Sequence, residues 1–498
     1  MRPIWKSHGL HLSPCWCAYL HTGCATSLGT KDFLHRSPIQ SISSPKKLRV
    51  SSLRDDPQWL SIGPRGVGSP ALWAKDIPRV DTSKQVMASY RSNFIQTVVN
   101  PQRLMKNEEK QTYAEALVLN EVLADHEIPR ESIVVSTLIG STILHPTTPD
   151  GTDERLTEEY VKKGVEMTLT EMDIETVDLV VCQIPEALTL VPAKQAELLN
   201  QLKIACDVLE MFCDEGKIQS YGFSLPGLNE SSPILEELVE KTLTPLSDQF
   251  GRFASLQLLQ HIGSSIFPLP KQLVEFCKAR KMLLIGDRPL EALLSSGKPF
   301  HLKTYHTNSG QDIALLLKTA FNLALAVEKK YADKLFPENK HLGLPPVEDV
   351  AWAHILANQH HEFDNVQVWL FARETQIFPR LEATIQQFTK HKETKELGFV
   401  YSMAMHQLLK CFTQSVELVD AARSTALLSA WKETQGLLPS DEMAMEEVAV
   451  MAALSAGMDM ILVEEQLPAT STLPFSHKFS SNQLEQIATL ARPHFTIK

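Results

Sequence analysis

Four features are missing from this chain of 498 residues. It has no CxxC pair among its eight cysteines, no GxGxxG motif opening a helix, no excess of positive charge and no long apolar run. Without paired cysteines, a zinc ribbon or a disulfide framework is excluded. Cys15, Cys17 and Cys24 lie near the start, while Cys182, Cys206, Cys213, Cys277 and Cys411 sit inside apolar stretches and read as buried free thiols. No metal site is expected. The formal net charge of -11 gives no support to nucleic-acid binding. No apolar run approaches the roughly 18 to 20 residues that cross a bilayer, so no membrane span is expected.

The first fifty-odd residues differ from the rest. Arg2, Lys6, Lys31, Arg36, Lys46, Lys47, Arg49 and Arg54 are opposed before Asp55 only by Asp32, and serine and threonine are frequent. This is the composition of an organellar transit peptide, and the compact apolar segment of a secretory signal is missing. The expectation is a disordered leader over residues 1–55 and import into mitochondria, with the plastid as the alternative.

What is present is a repeating beat. Val177 to Pro185 is a short apolar run behind an acidic residue and reads as a buried parallel strand. A helical stretch precedes it at 157–172. Another, Pro192 to Glu215, ends at Gly216, and Ile218–Ser224 begins a new strand at once. The same alternation gives strands at Phe94–Val99, Ser132–Ile139, Ala254–Leu259 and Met282–Ile285, an irregular first strand near Ile62, and helices at 108–126, 233–246 and 270–280. One strand per roughly 35 to 45 residues points to a (β/α)8 barrel rather than a doubly wound sheet. Two segments compete for the eighth strand, Val366–Phe371 and Met458–Val463. The second is preferred, because the helix-like 441–456 and the stop residue Gly457 lead into it. The domain plan is then a barrel over 56–300, a helix-rich insertion over 301–440, and a closing αβ unit over 441–498.

Several segments resemble the aldo-keto reductases. Asn93-Phe94-Ile95-Gln96-Thr97 resembles the family's "NFIDT" strand, Arg130 to Gly140 its "R-x-x-hydrophobic-STKhG", and Asp178 to Pro185 its "DLxxxHxP". Leu209 to Ser224, with Gly216-Lys217-Ile218 at its centre, resembles "LexLxxxGKIRxIGVS". The resemblance implies an NADPH-dependent carbonyl reductase with an Asp, Tyr, Lys, His tetrad at the C-terminal mouth of the barrel. Carried over residue by residue, those positions fall on Gln96, Pro101, Leu138 and Gln183, so every member is replaced. Tyr113 is a conceivable substitute acid, but its helical setting reads as packing.

The cofactor positions are mixed. Ser224 and Gln257 match residues that touch the nicotinamide carboxamide in the family. Asp287 falls where the family stacks an aromatic ring, and Glu464-Glu465-Gln466 fall where it holds phosphates. Arg373 would be a phosphate ligand only if Val366–Phe371 were the eighth strand. His360-His361 with Asp364 reads as a solvated turn. The stripe Met405, Leu408, Leu409, Phe412, Val416, Val419 reads as core or as a docking face. Two functions follow: a catalytically inactive barrel acting as a structural, assembly or interaction subunit with protein partners in a mitochondrial assembly and no cofactor, or an NADPH-dependent oxidoreductase with a rearranged site.

Overall fold

The computed structural model describes residues 23–36, 46–50, 58–62, 65–67, 93–99, 129–140, 156–184, 194–225, 234–259, 269–287, 289–294, 298–304, 310–463 and 478–495. Two strands, β1 (Lys46–Val50) and β2 (Gln58–Ile62), pair antiparallel as a hairpin. Eight parallel strands then close a barrel. Seven are consecutive: β3 (Arg65–Val67), β4 (Phe94–Val99), β5 (Val134–Ile139), β6 (Val177–Gln183), β7 (Ile218–Leu225), β8 (Phe253–Leu259) and β9 (Leu283–Asp287). A small hairpin, β10 (Glu291–Leu293) with β11 (Pro299–His301), leads the chain out, and β12 (Met460–Val463) returns to lie between β9 and β3.

The barrel explains the apolar reading of β6, which has no polar face. Leu179 and Val181 point into the lumen with Phe94, Val134, Leu138, Ala254, Leu283, Ile285, Met460 and Leu462. Val177, Val180 and Cys182 pack outward on the surrounding helices. A strand covered on both sides has no reason to alternate. Gly457 ends the helix Met445–Ala456 at φ +123 and so turns the chain into β12, which settles the eighth strand in favour of the preferred segment. Its rival is helical: Val366–Ala372 forms a helix capped by Asn365, whose side chain accepts from the Val368 N–H.

Three further expectations are corrected. Ile62 belongs to the hairpin, and the first barrel strand is Arg65–Val67. The helix expected at 233–246 contains a wide turn at Leu238–Leu243 and runs on to Gln249. The leader is not disordered across residues 1–55. Within it, Ser27–Arg36 is a helix and Lys46–Val50 is β1, and both cover the floor of the barrel. Leu48, Val50, Leu60 and Ile62 of the hairpin belong to the same apolar cluster as the lumen residues, so the hairpin plugs the barrel from below. Its basic residues are engaged in the fold. Lys46 pairs with Asp459 at 2.9 Å, Lys47 donates to Ser61 Oγ, and Arg49 donates to the Phe253 carbonyl. Burial holds the Arg49 pKa below its ordinary value.

A fully buried carboxylate anchors this floor. Asp178 Oδ1 accepts from the Ala25 N–H at 2.8 Å and from Gln219 Nε2 at 2.6 Å. Asp178 Oδ2 accepts from the Val135 N–H at 2.7 Å and pairs with Arg130 Nη1 at 3.0 Å. Arg130 in turn donates to the carbonyls of Ile133 and Thr176.

The insertion has its own apolar cluster, built on Tyr331, Trp369, Phe388, Tyr401, Met405, Leu408 and Phe412. Its longest helix begins at Lys395 and runs 39 residues to Glu433, roughly 58 Å. Its first half lies in the insertion's core, while Leu427 and Trp431 pack on the outside of the barrel. The boundary at 440 therefore falls too late, since the last turns of this helix already belong to the barrel. Lys298 beside β11, Asp364, Arg423 and Asp420 form an ionic chain that ties the insertion's entry to the long helix. All five cysteines expected to be buried are buried and free, and burial pushes the Cys182 thiol up to about 12.

Two measurements test this account. Arg130→Ala leaves the Asp178 carboxylate buried without its counter-ion and should cost about 3–5 kcal/mol. It is read as a lower urea midpoint, and an unchanged midpoint would show that the pair carries no weight. Glu328 caps the helix Trp352–Gln359 by accepting from the Ala353 and His354 N–H groups, and burial raises its pKa from 4.5 to about 7 despite those two donors. The folded state then holds a proton that the unfolded chain releases. Its contribution is complete below pH 4.5 and is lost as pH rises through 7. Unfolding free energy should fall by about 2 kcal/mol between pH 5 and 8, and Glu328→Gln should flatten that slope.

Candidate functional site

The C-terminal ends of the barrel strands are where a barrel of this type carries chemistry. Gln96 stands in β4 and Gln257 in β8, and these strands are four apart in an eight-membered ring, hence on opposite walls. Their side chains meet in the middle. Gln96 Nε2 donates to Gln257 Oε1 at 2.9 Å, and Gln257 Nε2 donates to Gln96 Oε1 at 3.0 Å. Both residues are buried, at 2% and 0% exposure. Gln96 Nε2 also donates to Ser136 Oγ at 3.2 Å, and Gln257 Nε2 to Asp287 Oδ2 at 3.2 Å. The result is a polar crossbar through the lumen, joining β4, β5, β8 and β9.

Leu138 follows Ser136 by two residues on β5 and therefore faces the same way, one layer nearer the mouth. It is 2% exposed and belongs to the apolar lumen. Gln183 ends β6 and lies against Gly140. A Cβ at Gly140 would stand 2.4 Å from Gln183 Cβ and 2.6 Å from Oε1, so glycine is required there for the glutamine to lean across the end of β5. Gln183 Oε1 is buried without a hydrogen-bond partner among the described residues. Ser224 ends β7 beside Gln183 and Gln257 and is 1% exposed.

The structure thus brings Gln96, Leu138, Gln183, Ser224, Gln257 and Asp287 to one end of one barrel. Both ends of the Gln257 amide are engaged, by Gln96 and by Asp287. Arg373 is not at the mouth. It lies in the insertion, where it pairs with Glu374 at 2.6 Å and donates to Thr413 Oγ1. Pro101, Tyr113 and Glu464-Glu465-Gln466 fall outside the described residues. His360 and His361 form a short turn, and no cluster of metal-binding side chains occurs among the described residues. The stripe from Met405 to Val416 is buried core, while Val419 is partly exposed. Sequence reasoning missed the crossbar, because nothing in the spacing of two glutamines 161 residues apart announces that they meet. It also passed over Arg130 and Asp178, which stand at the heads of two quoted motifs and were read for fold alone.

The model of the Aldo/keto reductase family matches residues 110–362, half of the chain. The chain belongs to the aldo-keto reductase family. Among solved structures it is similar to a protein of Pseudomonas aeruginosa provisionally assigned to the same family, at 16% identity and TM-score 0.32, over 46% of this chain and 75% of that one. An aldo-keto reductase of Klebsiella pneumoniae in complex with NADP and acetate is 13% identical, with TM-score 0.30, over 46% and 64% of the two chains. The aldose reductase of Schistosoma japonicum is 19% identical, with TM-score 0.30, over 46% and 66%. These likenesses are partial, and the assignment rests on the family model. No curated protein matches the chain.

In this aldo-keto reductase the crossbar can be tested by a cycle of substitutions. Gln96→Leu leaves the Gln257 amide buried with half its partners lost, and should cost about 1–3 kcal/mol. Adding Gln257→Leu removes the orphan, so the double variant should lose less than the sum of the two single losses. Strict additivity in urea denaturation would show that the two amides do not depend on each other.

Proposed function

We propose that this member of the family does not reduce carbonyls and serves as a structural or interaction subunit for protein partners. The observation that carries the reading is the crossbar, which occupies the lumen with a closed amide pair at the position matched to the family's aspartate. Carbonyl reduction needs a proton donor beside the substrate oxygen and a cation to stabilise the phenolate left behind. Gln96 has no charge with which to hold a lysine, and Leu138 supplies hydrocarbon where the cation belongs. Gln183 can donate a hydrogen bond but does not titrate.

A nicotinamide dinucleotide does not fit the described residues either. The Gln257 amide is committed to Gln96 and Asp287. Support for a protein partner comes from the insertion. Leu315, Leu316 and Leu323 on the helix Gly310–Lys330, and Phe399, Val400 and Met403 on the long helix, are exposed, with Phe399 at 66%. Large exposed side chains on two helices that pack against each other suit a docking role. Residues 1–22 carry Arg2 and Lys6 and no acid, and on this reading they direct the chain to the mitochondrion.

NADPH titration against the full chain, followed by fluorescence or calorimetry, decides between the readings. No binding is expected at hundreds of micromolar. Micromolar binding accompanied by turnover of an aldehyde would end the scaffold reading and return the chain to the oxidoreductases.

A further inference from the structure

Proteolytic processing of an imported chain removes a leader, and the composition of residues 1–55 by itself places no limit on where that removal stops. The barrel floor supplies one. We infer that processing ends no later than the Thr22–Gly23 bond, and that the mature protein keeps every residue from Gly23 onward. This rests on the import reading above and adds to it a limit on where cleavage falls.

The argument runs along the backbone from Gly23. The Gly23 N–H donates to Glu175 Oε2 at 3.4 Å. The Ala25 N–H is one of the donors to the fully buried Asp178 carboxylate, and the Ala25 carbonyl accepts from Gln219 Nε2 at 3.1 Å. The Thr26 N–H donates to the Glu131 carbonyl at 2.9 Å. Ala25 and Thr30 are 2% and 0% exposed, and Thr30 Oγ1 accepts from the Ser61 N–H of the plugging hairpin. Removing this segment strips a donor from a buried charge and a cover from the lumen. A peptidase must also draw its substrate across its site in extended form. Beyond Ala25, that means pulling the backbone away from Asp178. Lys46 and Arg49, which make the region look like a longer leader, are consumed by Asp459 and the Phe253 carbonyl.

The chemistry is hydrolysis of one amide. A water adds across the scissile bond, leaving a carboxylate on the released peptide and an α-ammonium on the mature chain. If the bond is Thr22–Gly23, that ammonium forms 3.4 Å from the Glu175 carboxylate and pairs with it.

The test is the N-terminal residue of the protein isolated from the organelle fraction, read by mass spectrometry of its terminal peptide. A first residue between 2 and 23 is expected, and a first residue beyond Gly23 overturns the inference while leaving import intact. An unprocessed Met1 in the organelle removes the cleavage that the inference presupposes and overturns it on that ground, whereas an unprocessed chain in the cytosol overturns the import reading and the inference together. The physical basis is tested separately in the full chain. Ala25→Pro deletes the N–H that Asp178 accepts, and should lower the melting temperature by about 3 °C or more. An unchanged melting temperature would show that the segment is dispensable and would remove the reason for the limit.

Discussion

The floor of the barrel depends on one carboxylate. Asp178 is fully buried, and a buried charge is tolerated only when it is paired and saturated with hydrogen bonds. Its four partners come from three separate stretches: Arg130 and Val135 around the start of β5, Gln219 in β7 and Ala25 in the N-terminal segment. A single side chain thereby fixes the register of three neighbouring strands and the path of the chain that runs beneath them. The plugging hairpin, held to that segment through Thr30 and Ser61, closes the lumen only because this arrangement is in place.

At the other end of the same lumen the polar residues serve closure as well. Two glutamines on opposite walls satisfy each other, and Ser136 and Asp287 take up their remaining donors. Such a network is stable because it is complete, and completeness is what a binding site must avoid, since a ligand needs partners left free. The network ties β4, β5, β8 and β9 together across the lumen of the family's fold.

The long helix Lys395–Glu433 gives the insertion its place. Because its first half belongs to one apolar cluster and its last turns to another, the helical unit cannot swing freely without breaking a continuous helix or uncovering Trp431. The chain of charges from Lys298 to Asp420 holds the entry side. The exposed leucines, Phe399 and Met403 are thus presented by a braced support.

The barrel was legible in the sequence because parallel strands buried on both faces must be continuously apolar, and because Gly216 and Gly457 mark helix ends that any reader of φ preferences can locate. Those are local rules, and they sufficed to place β6, β7 and β12. Where the chain misled, the information was not local. Basic residues at 46, 47 and 49 looked like a leader because their carboxylate, carbonyl and hydroxyl partners lie elsewhere in the chain. Val366–Phe371 looked like a strand because a short apolar run has no period of its own, and Asn365 with the buried Asp420 made it a helix. That Gln96 and Gln257 meet, and that Asp178 gathers three segments, was decided by the closing of the barrel. Closure brings together residues that stand from 41 to 161 positions apart in the sequence.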